Sequence, residues 1–286
     1  MKLLRYEIGG SVRPALLHDD GTIRDLAAIV HDIDRDTVTP GGLAEIAAID
    51  PATLPVVRGL VKIVEPVADP QKLICIGLNY VDHAKEIGAP IPSEPIIFMK
   101  APTSLTGPSG PVLKPPHASK LDWEVELCVV IGTPASYVSE ANAMDHVAGY
   151  AVGNDVSERE FQLERPGGQW TKGKSGDGFA PVGPWLVTAD EVPDPGKLKI
   201  WLKLNGETMQ SSTTAQLVFN VRQIISFVSR YMTLLPGDII MTGTPPGVGG
   251  GMKPPRFLEV GDVMELGVEG LGEQRHEVAA HPAGKA

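Results

Sequence analysis

Glycine and proline recur along the whole chain, 32 and 26 of its 286 residues, and their even spread constrains the fold more than any other property. Residues that break helices and make tight turns, placed every few positions, leave room for many short strands and few long helices. Hydrophobic residues make up 42% of the chain and aromatics only 5%. That is enough to bury one large core with a small module attached.

The apolar runs agree with this. Leu73 to Gly77, Pro95 to Met99, Trp123 to Ile131, Val147 to Val152, Trp185 to Thr188, Asp238 to Thr242 and Val263 to Val268 are each of strand length. Leu198 to Leu204 alternates apolar and polar residues and runs into Asn205-Gly206, a strong hairpin signal. Earlier in the chain, Lys2 to Tyr6 reads as a strand and Pro14 to Ala27 as a hairpin around His18-Asp19-Asp20-Gly21. A helix from Gly41 to Ile49 is ended by Pro51, and Pro66 to Pro70 reads as a linker. The longest helix expected is Ala215 to Thr233, where Leu217, Val221, Ile224, Ile225, Val228 and Met232 recur at helical spacing. Strands and helices do not alternate, so the expected class is α+β with a dominant mixed sheet folded over itself, not a dinucleotide-binding or barrel architecture. Residues 1–65 form a small N-terminal part and 66–286 the main domain.

With 25 Lys and Arg against 35 Asp and Glu, the net charge of -10 repels phosphate backbones and anionic lipid. Nucleic acid and membrane surfaces are therefore poor partners. Two cysteines, Cys75 and Cys128, are too few for a disulfide framework, and a reducing cytoplasm is the default location. The N-terminus lacks the apolar stretch of a signal peptide, and no segment approaches the roughly 18 apolar residues of a membrane span.

Side chains alternate along a strand, so Glu124 and Glu126 in Asp122-Trp-Glu-Val-Glu126 share a face. A bound cation would relieve their repulsion; an exposed strand face is the plainer reading. Asp155 ends another apolar run, just before Ser157-Glu-Arg-Glu160, which has the spacing of a helix capping box. Three oxygen donors without Cys or His at ligand spacing favour Mg²⁺, with Mn²⁺ as the alternative, over Zn²⁺. His83 and Glu86 share one face of a helical turn that Gly88 would stop, a pairing that suits a general base for water and equally a solvated turn. The loop Trp170 to Gly178 carries Lys172 and Lys174 toward an anionic ligand, and Pro236 to Gly247 ends in backbone N–H groups that suit a carboxylate. Neither matches a nucleotide-binding pattern.

In chain order, Gly77-Leu-Asn79-Tyr-x-x-His83, Asp122-Trp-Glu-Val-Glu126, Gly153-Asn-Asp-Val-Ser157, Lys174-Ser-x-Asp, Gly183-Pro-Trp and Pro236-Gly-Asp-Ile-Ile-x-Thr-Gly-Thr-Pro-x-Gly247 resemble the fumarylacetoacetate hydrolase family over about Lys72 to Val268. The N-terminal part and Gly251-Met-Lys-Pro-Pro-Arg256 resemble its bacterial branch of ureidoglycolate lyases, 2-hydroxyhepta-2,4-diene-1,7-dioate isomerases and 2,4-diketo-3-deoxy-L-rhamnonate hydrolases. The resemblance implies a mixed β-sandwich roll and a metal, usually Mg²⁺, at Glu124, Glu126 and Asp155. It further implies acid/base roles for His83 and Glu86 on a lid segment, and Lys174 near developing negative charge. Asn79, Arg159, Gln162 and Thr244 match positions that contact substrate or support the site. Ser175-Gly176-Asp177-Gly178 departs from close relatives, which more often carry a bulkier residue after the serine.

The implied reaction is metal-dependent hydrolysis of the C3–C4 bond of a 2,4-diketo acid, an acylpyruvate such as 2,4-diketo-3-deoxy-L-rhamnonate, to pyruvate and a second acid. Dienoate isomerisation, oxaloacetate decarboxylation and ureidoglycolate cleavage use the same stabilised enolate and stand as alternatives, as does a non-catalytic small-acid binding protein. A homodimer is expected from the resemblance alone.

Overall fold

The computed structural model describes residues 1–285. Its largest sheet runs in the order Ile23–Asp25, Ser11–Leu17, Lys2–Ile8, Ala180–Thr188, Val147–Asn154, Val125–Ile131, Ile239–Met241, Leu73–Gly77 and Ile96–Lys100, with two short strands attached at its side. A second sheet orders Glu207–Thr213, Lys199–Leu204, Val263–Val268, Gly272–Ala280 and Val112–Lys114. Most neighbours are antiparallel. Leu73–Gly77 beside Ile239–Met241 and Gly272–Ala280 beside Val112–Lys114 are parallel, so both sheets are mixed and the fold is α+β.

Val125–Ile131 is apolar except for Glu126, because it is buried on both faces. Val125, Leu127, Val129 and Ile131 join Ile200, Leu202, Leu266 and Val278 in the core between the sheets. Cys128 and Val130 join Leu73, Cys75 and Ala151 on the opposite face, over which Leu3, Leu16, Leu26, Ile33 and Ile46 pack. The first sixty residues thus extend the large sheet, through Lys2 and Leu3 paired with Val187 and Leu186, and cover one of its faces.

The Asn205-Gly206 turn joins two antiparallel strands, both residues taking positive φ, +52° and +83°. The helix expected at Gly41 spans Pro40–Ala47 and is capped by Thr39. Two expectations need correction. The long helix is only Val221–Val228, because Asn220 and Gln223 form a reciprocal capping box that fixes its start. Upstream, Leu217 bridges to Tyr80 and Val218 N–H donates to Asn79 O, which commits that backbone to the site. Ser157 likewise does not start a helix: Ser157–Glu158 is a strand pairing with Leu121–Asp122, and the Ser157 hydroxyl donates to Asp155 O. Among the described residues no helix is long and apolar enough to cross a membrane.

Candidate active site

Glu124, Glu126 and Asp155 lie on the face of the sheet that also carries Cys128. The register Val125 to Asn154 and Glu126 to Gly153 brings the end of one strand beside the start of the other. Asp155 N–H donates to Glu124 O at 2.9 Å, and the Asn154 side-chain oxygen accepts Glu124 N–H at 3.0 Å. Each of the three buried carboxylates places an oxygen within 4.8 Å of the others.

Three cations surround them. Lys174 Nζ donates to Glu124 Oε2 at 2.6 Å and Asp155 Oδ2 at 2.9 Å. Lys100 Nζ donates to Asp155 Oδ1 and, at 3.0 Å, to Val156 O. Arg159 donates to Glu124 Oε1 at 2.8 Å, to Asp122 Oδ2 at 2.7 Å and to Gln162 Oε1 at 3.1 Å. Burial raises the Glu124 pKa, but Arg159 and Lys174 together outweigh it and hold the group at about 2. Burial lowers the Lys174 pKa, and Asp155 with Glu124 more than reverses it. Glu126 is the exception. Among the described residues its carboxylate accepts one hydrogen bond, from Gly243 N–H at 2.6 Å, and burial, followed by repulsion from Asp155 and Glu124, drives its pKa well above the usual carboxylate range.

A hard divalent cation fits this set. The donors are carboxylate oxygens, and the one carboxylate without a cationic partner, Glu126, is the one whose charge a cation would stabilise. Displacing Lys174 and Lys100 from the shared oxygens would open the remaining positions.

Above this floor, the helix Val81–Ile87 ends at Gly88, whose φ of +67° supplies the left-handed cap expected of it. His83 Nδ1 and Glu86 Oε2 are 2.9 Å apart, and Glu86 Oε1 accepts Gly247 N–H at 2.8 Å. Asp82 ties the helix to the second sheet through the Ser212 hydroxyl at 2.6 Å. His83 lines the same cavity of about 250 Å³ as Glu124, Glu126, Asp155, Arg159, Gln162, Lys174 and Thr244.

Asn79 does not line this cavity. Its amide donates to Phe219 O and Thr242 O and its oxygen accepts Phe219 N–H, so it is a clamp between the segment leading into the helix Val81–Ile87 and two loops. Thr244 reaches the cavity but donates its hydroxyl to Val125 O and accepts from Gln210. Lys172 turns away and donates to Pro166 O. The backbone amides suited to an anionic ligand, those of Gly243 and Gly247, serve this protein's own Glu126 and Glu86.

Sequence reasoning missed Lys100 and the role of Asp122. Lys100 ends an otherwise apolar strand and is buried, and a lysine closing such a run was the available signal. Asp122 accepts Gly249 N–H at 2.7 Å and Gly250 N–H at 3.0 Å while holding Arg159. Gly249 is required there, since a Cβ would sit 1.8 Å from Arg256 O.

Residues 72–279 match the model of the fumarylacetoacetate (FAA) hydrolase C-terminal domain. A Burkholderia lata protein described only as a hydrolase is 55% identical over 275 residues, covering 96% of this chain and 97% of that one. Among solved structures, the fumarylacetoacetate hydrolase of psychrophilic Exiguobacterium antarcticum is 37% identical with a TM-score of 0.88, over 98% of this chain and 100% of its own. The maleylpyruvate hydrolase of Sphingobium sp. SYK-6, solved with manganese(II) and pyruvate, is 31% identical with a TM-score of 0.78, over 98% and 99%. The 2-hydroxyhepta-2,4-diene-1,7-dioate isomerase of Mycobacterium marinum is 33% identical with a TM-score of 0.76, over 99% of both chains. With the match to the domain model spanning most of its length, this chain belongs to the fumarylacetoacetate hydrolase family.

Proposed function

We propose that the protein is a Mg²⁺-dependent hydrolase that cleaves the C3–C4 bond of a 2,4-diketo acid to pyruvate and a second acid, with Mn²⁺ as a substitute metal. The carrying observation is that His83, paired with Glu86 behind it, lines the same cavity as the three carboxylates. A pair able to activate water beside a cation site suits hydrolysis, which needs both, better than decarboxylation or tautomerisation, which need no activated water. The pyruvate and manganese(II) carried by the Sphingobium relative support the same reading.

Glu124, Glu126 and Asp155 would hold the metal, which would supply Lewis-acid stabilisation of the negative charge that develops on the 2-oxo acid. The remaining work falls to side chains. Glu86 accepts Nδ1–H and fixes the His83 tautomer, leaving Nε2 to take a proton from the water that attacks C4. The protonated ring then returns that proton to C3 of the departing pyruvoyl half. Lys174 places positive charge beside the oxygens on which negative charge grows. Arg159 and Gln162 orient the substrate, and Thr244 and Asn79 hold the wall and the lid.

Relatives named as 2-hydroxyhepta-2,4-diene-1,7-dioate isomerases support a second reading, in which the same floor stabilises an enolate that is reprotonated without water attack. Incubating the protein with Mg²⁺ and a panel of acylpyruvates, with and without EDTA, separates the two. Metal-dependent pyruvate release is the outcome expected of the hydrolase. Isomerised dienoate without pyruvate release from any acylpyruvate would replace that reading with the second. A homodimer is proposed as the working assembly, to be checked by light scattering.

A further inference from the structure

The cavity is charged at its floor and apolar toward its mouth, and three wall segments set up this gradient in the same way. Each places a polar group deep and an apolar side chain four residues away, about one helical turn. On the lid helix, His83 is 8% exposed and Ile87 is 48% exposed. Arg159 reaches down to Glu124, whereas Leu163 is 58% exposed. Lys174 is 1% exposed, and Trp170 stands half-buried above it.

The strand Ile96–Lys100 closes the wall with Ile96 and Phe98. Trp170 sits edge-on to Phe98 with ring centroids 5.2 Å apart. It also packs so tightly on Gly77 that a Cβ there would lie 2.6 Å from the indole. Leu78, next along this wall, is held at a φ of +48°, a left-handed backbone that a leucine adopts only under constraint.

Of the two cations that line the cavity, Lys174 lies buried at the floor beside Glu124 and Asp155, and Arg159 is held down by Asp122, Glu124 and Gln162. Lys85 and Lys253 border a separate depression beside Glu86. Among the described residues, the outer half of the cavity, walled by Ile87, Ile96, Phe98, Leu163 and Trp170, therefore offers a second anionic group no cation.

We propose that the part of the substrate beyond C4 is a neutral, apolar alkyl or aryl group seated against Ile87, Ile96, Phe98, Leu163 and Trp170. The inference rests on the reading of the floor as the 2-oxo-acid site. A terminal carboxylate or a polyol chain would lose its hydration against this wall without a replacement partner. This disfavours dicarboxylates and the deoxy sugar acids alike. The reaction is R–CO–CH₂–CO–CO₂⁻ + H₂O → R–CO₂H + CH₃–CO–CO₂⁻. The C3–C4 bond breaks, a C4–O bond forms from water, and one water proton ends on C3.

Two measurements on the Mg²⁺-loaded protein test the proposal. The first is calorimetric binding of unreactive 2-oxo acids from 2-oxobutanoate to 2-oxooctanoate, compared with 2-oxoglutarate and 2-oxoadipate. The second is kcat/KM for acylpyruvates with R from methyl to hexyl, against equal-length members ending in carboxylate. Affinity should rise about fourfold per added methylene over the first few members, and the carboxylate-ended members should bind roughly 100-fold more weakly than their alkyl counterparts. Trp170→Ala should flatten the ladder, and Leu163→Arg should raise affinity for the dicarboxylates. A flat ladder in the wild-type protein, or a preference for dicarboxylates, overturns the proposal even if pyruvate is released. A steep ladder without any C–C cleavage upholds it and retires the hydrolase reading instead.

Discussion

The carboxylate floor and the lid of this cavity are built in different ways. Glu126 stands on a strand, and Glu124 and Asp155 flank it and its antiparallel neighbour directly, so the ladder fixes their spacing, and the residues around them are fully packed. His83 and Glu86 stand on a seven-residue helix held by a few side-chain and cap bonds: Asp82 to Ser212, Glu86 to Gly247, and the Gly88 cap. A position fixed by a sheet register resists displacement, whereas one fixed by isolated hydrogen bonds opens at small cost. The floor is thus suited to constant geometry, and the helix that carries His83 and Glu86 to displacement.

The sharpest way to separate the two regions is to remove one function from each. Glu126→Gln should lower kcat/KM by roughly 10³-fold or more, the several kcal/mol a metal supplies, and titration calorimetry should show Mg²⁺ binding lost with it. His83→Ala should lower kcat by about 10² to 10⁴-fold with Mg²⁺ affinity unchanged. Loss of metal binding in the second variant would break the division between floor and lid.

Asp122→Asn should weaken metal affinity by about 10 to 100-fold, because Asp122 sets Arg159 against Glu124. The same measurement on Glu86→Gln should show no such loss, its effect appearing instead in the acid limb of the pH–rate profile.

The smallest effect is graded by pH. Burial, then Asp155 and Glu124, raise the Glu126 pKa, so the metal-free fold keeps a proton there that the unfolded chain releases above its ordinary carboxylate pKa. Metal-free stability should therefore fall as pH rises from that ordinary value through the raised one, while Mg²⁺ affinity should rise by up to about tenfold per pH unit over the same interval. Chemical denaturation and calorimetry at several pH values check both signs; a Mg²⁺ affinity independent of pH would show that Glu126 is already ionised.

The sequence exposed the floor more fully than its surroundings, for physical reasons. Alternation along a strand places Glu124 and Glu126 on one face, and an apolar run ending at Asp155 marks a strand end, so local pattern singled out the three residues, while the family resemblance joined them as one ligand set. The helical turn with Gly88 as its stop was equally local. Lys100 and Asp122 were not visible in this way, because their partners Asp155 and Arg159 lie 55 and 37 residues away and meet them only through strand pairing. The expected helix from Ala215 was too long since periodicity cannot register that Leu217 and Val218 pair with the segment leading into the lid. Asn79 sits inside a family motif, yet its side chain is spent on Phe219 and Thr242, so the motif marks a support and not a contact with the cavity.

The central claim is that the floor holds the 2-oxo acid while His83 delivers water to C4, and turnover of an acylpyruvate in H₂¹⁸O with Mg²⁺ tests it most directly. Mass spectrometry should find at least one ¹⁸O in the carboxylate of the acid derived from C4 and none in the carboxylate of pyruvate, with this turnover lost in His83→Ala. Consumption of the substrate to an isomer of unchanged mass or to carbon dioxide, with no labelled acid, would contradict the account.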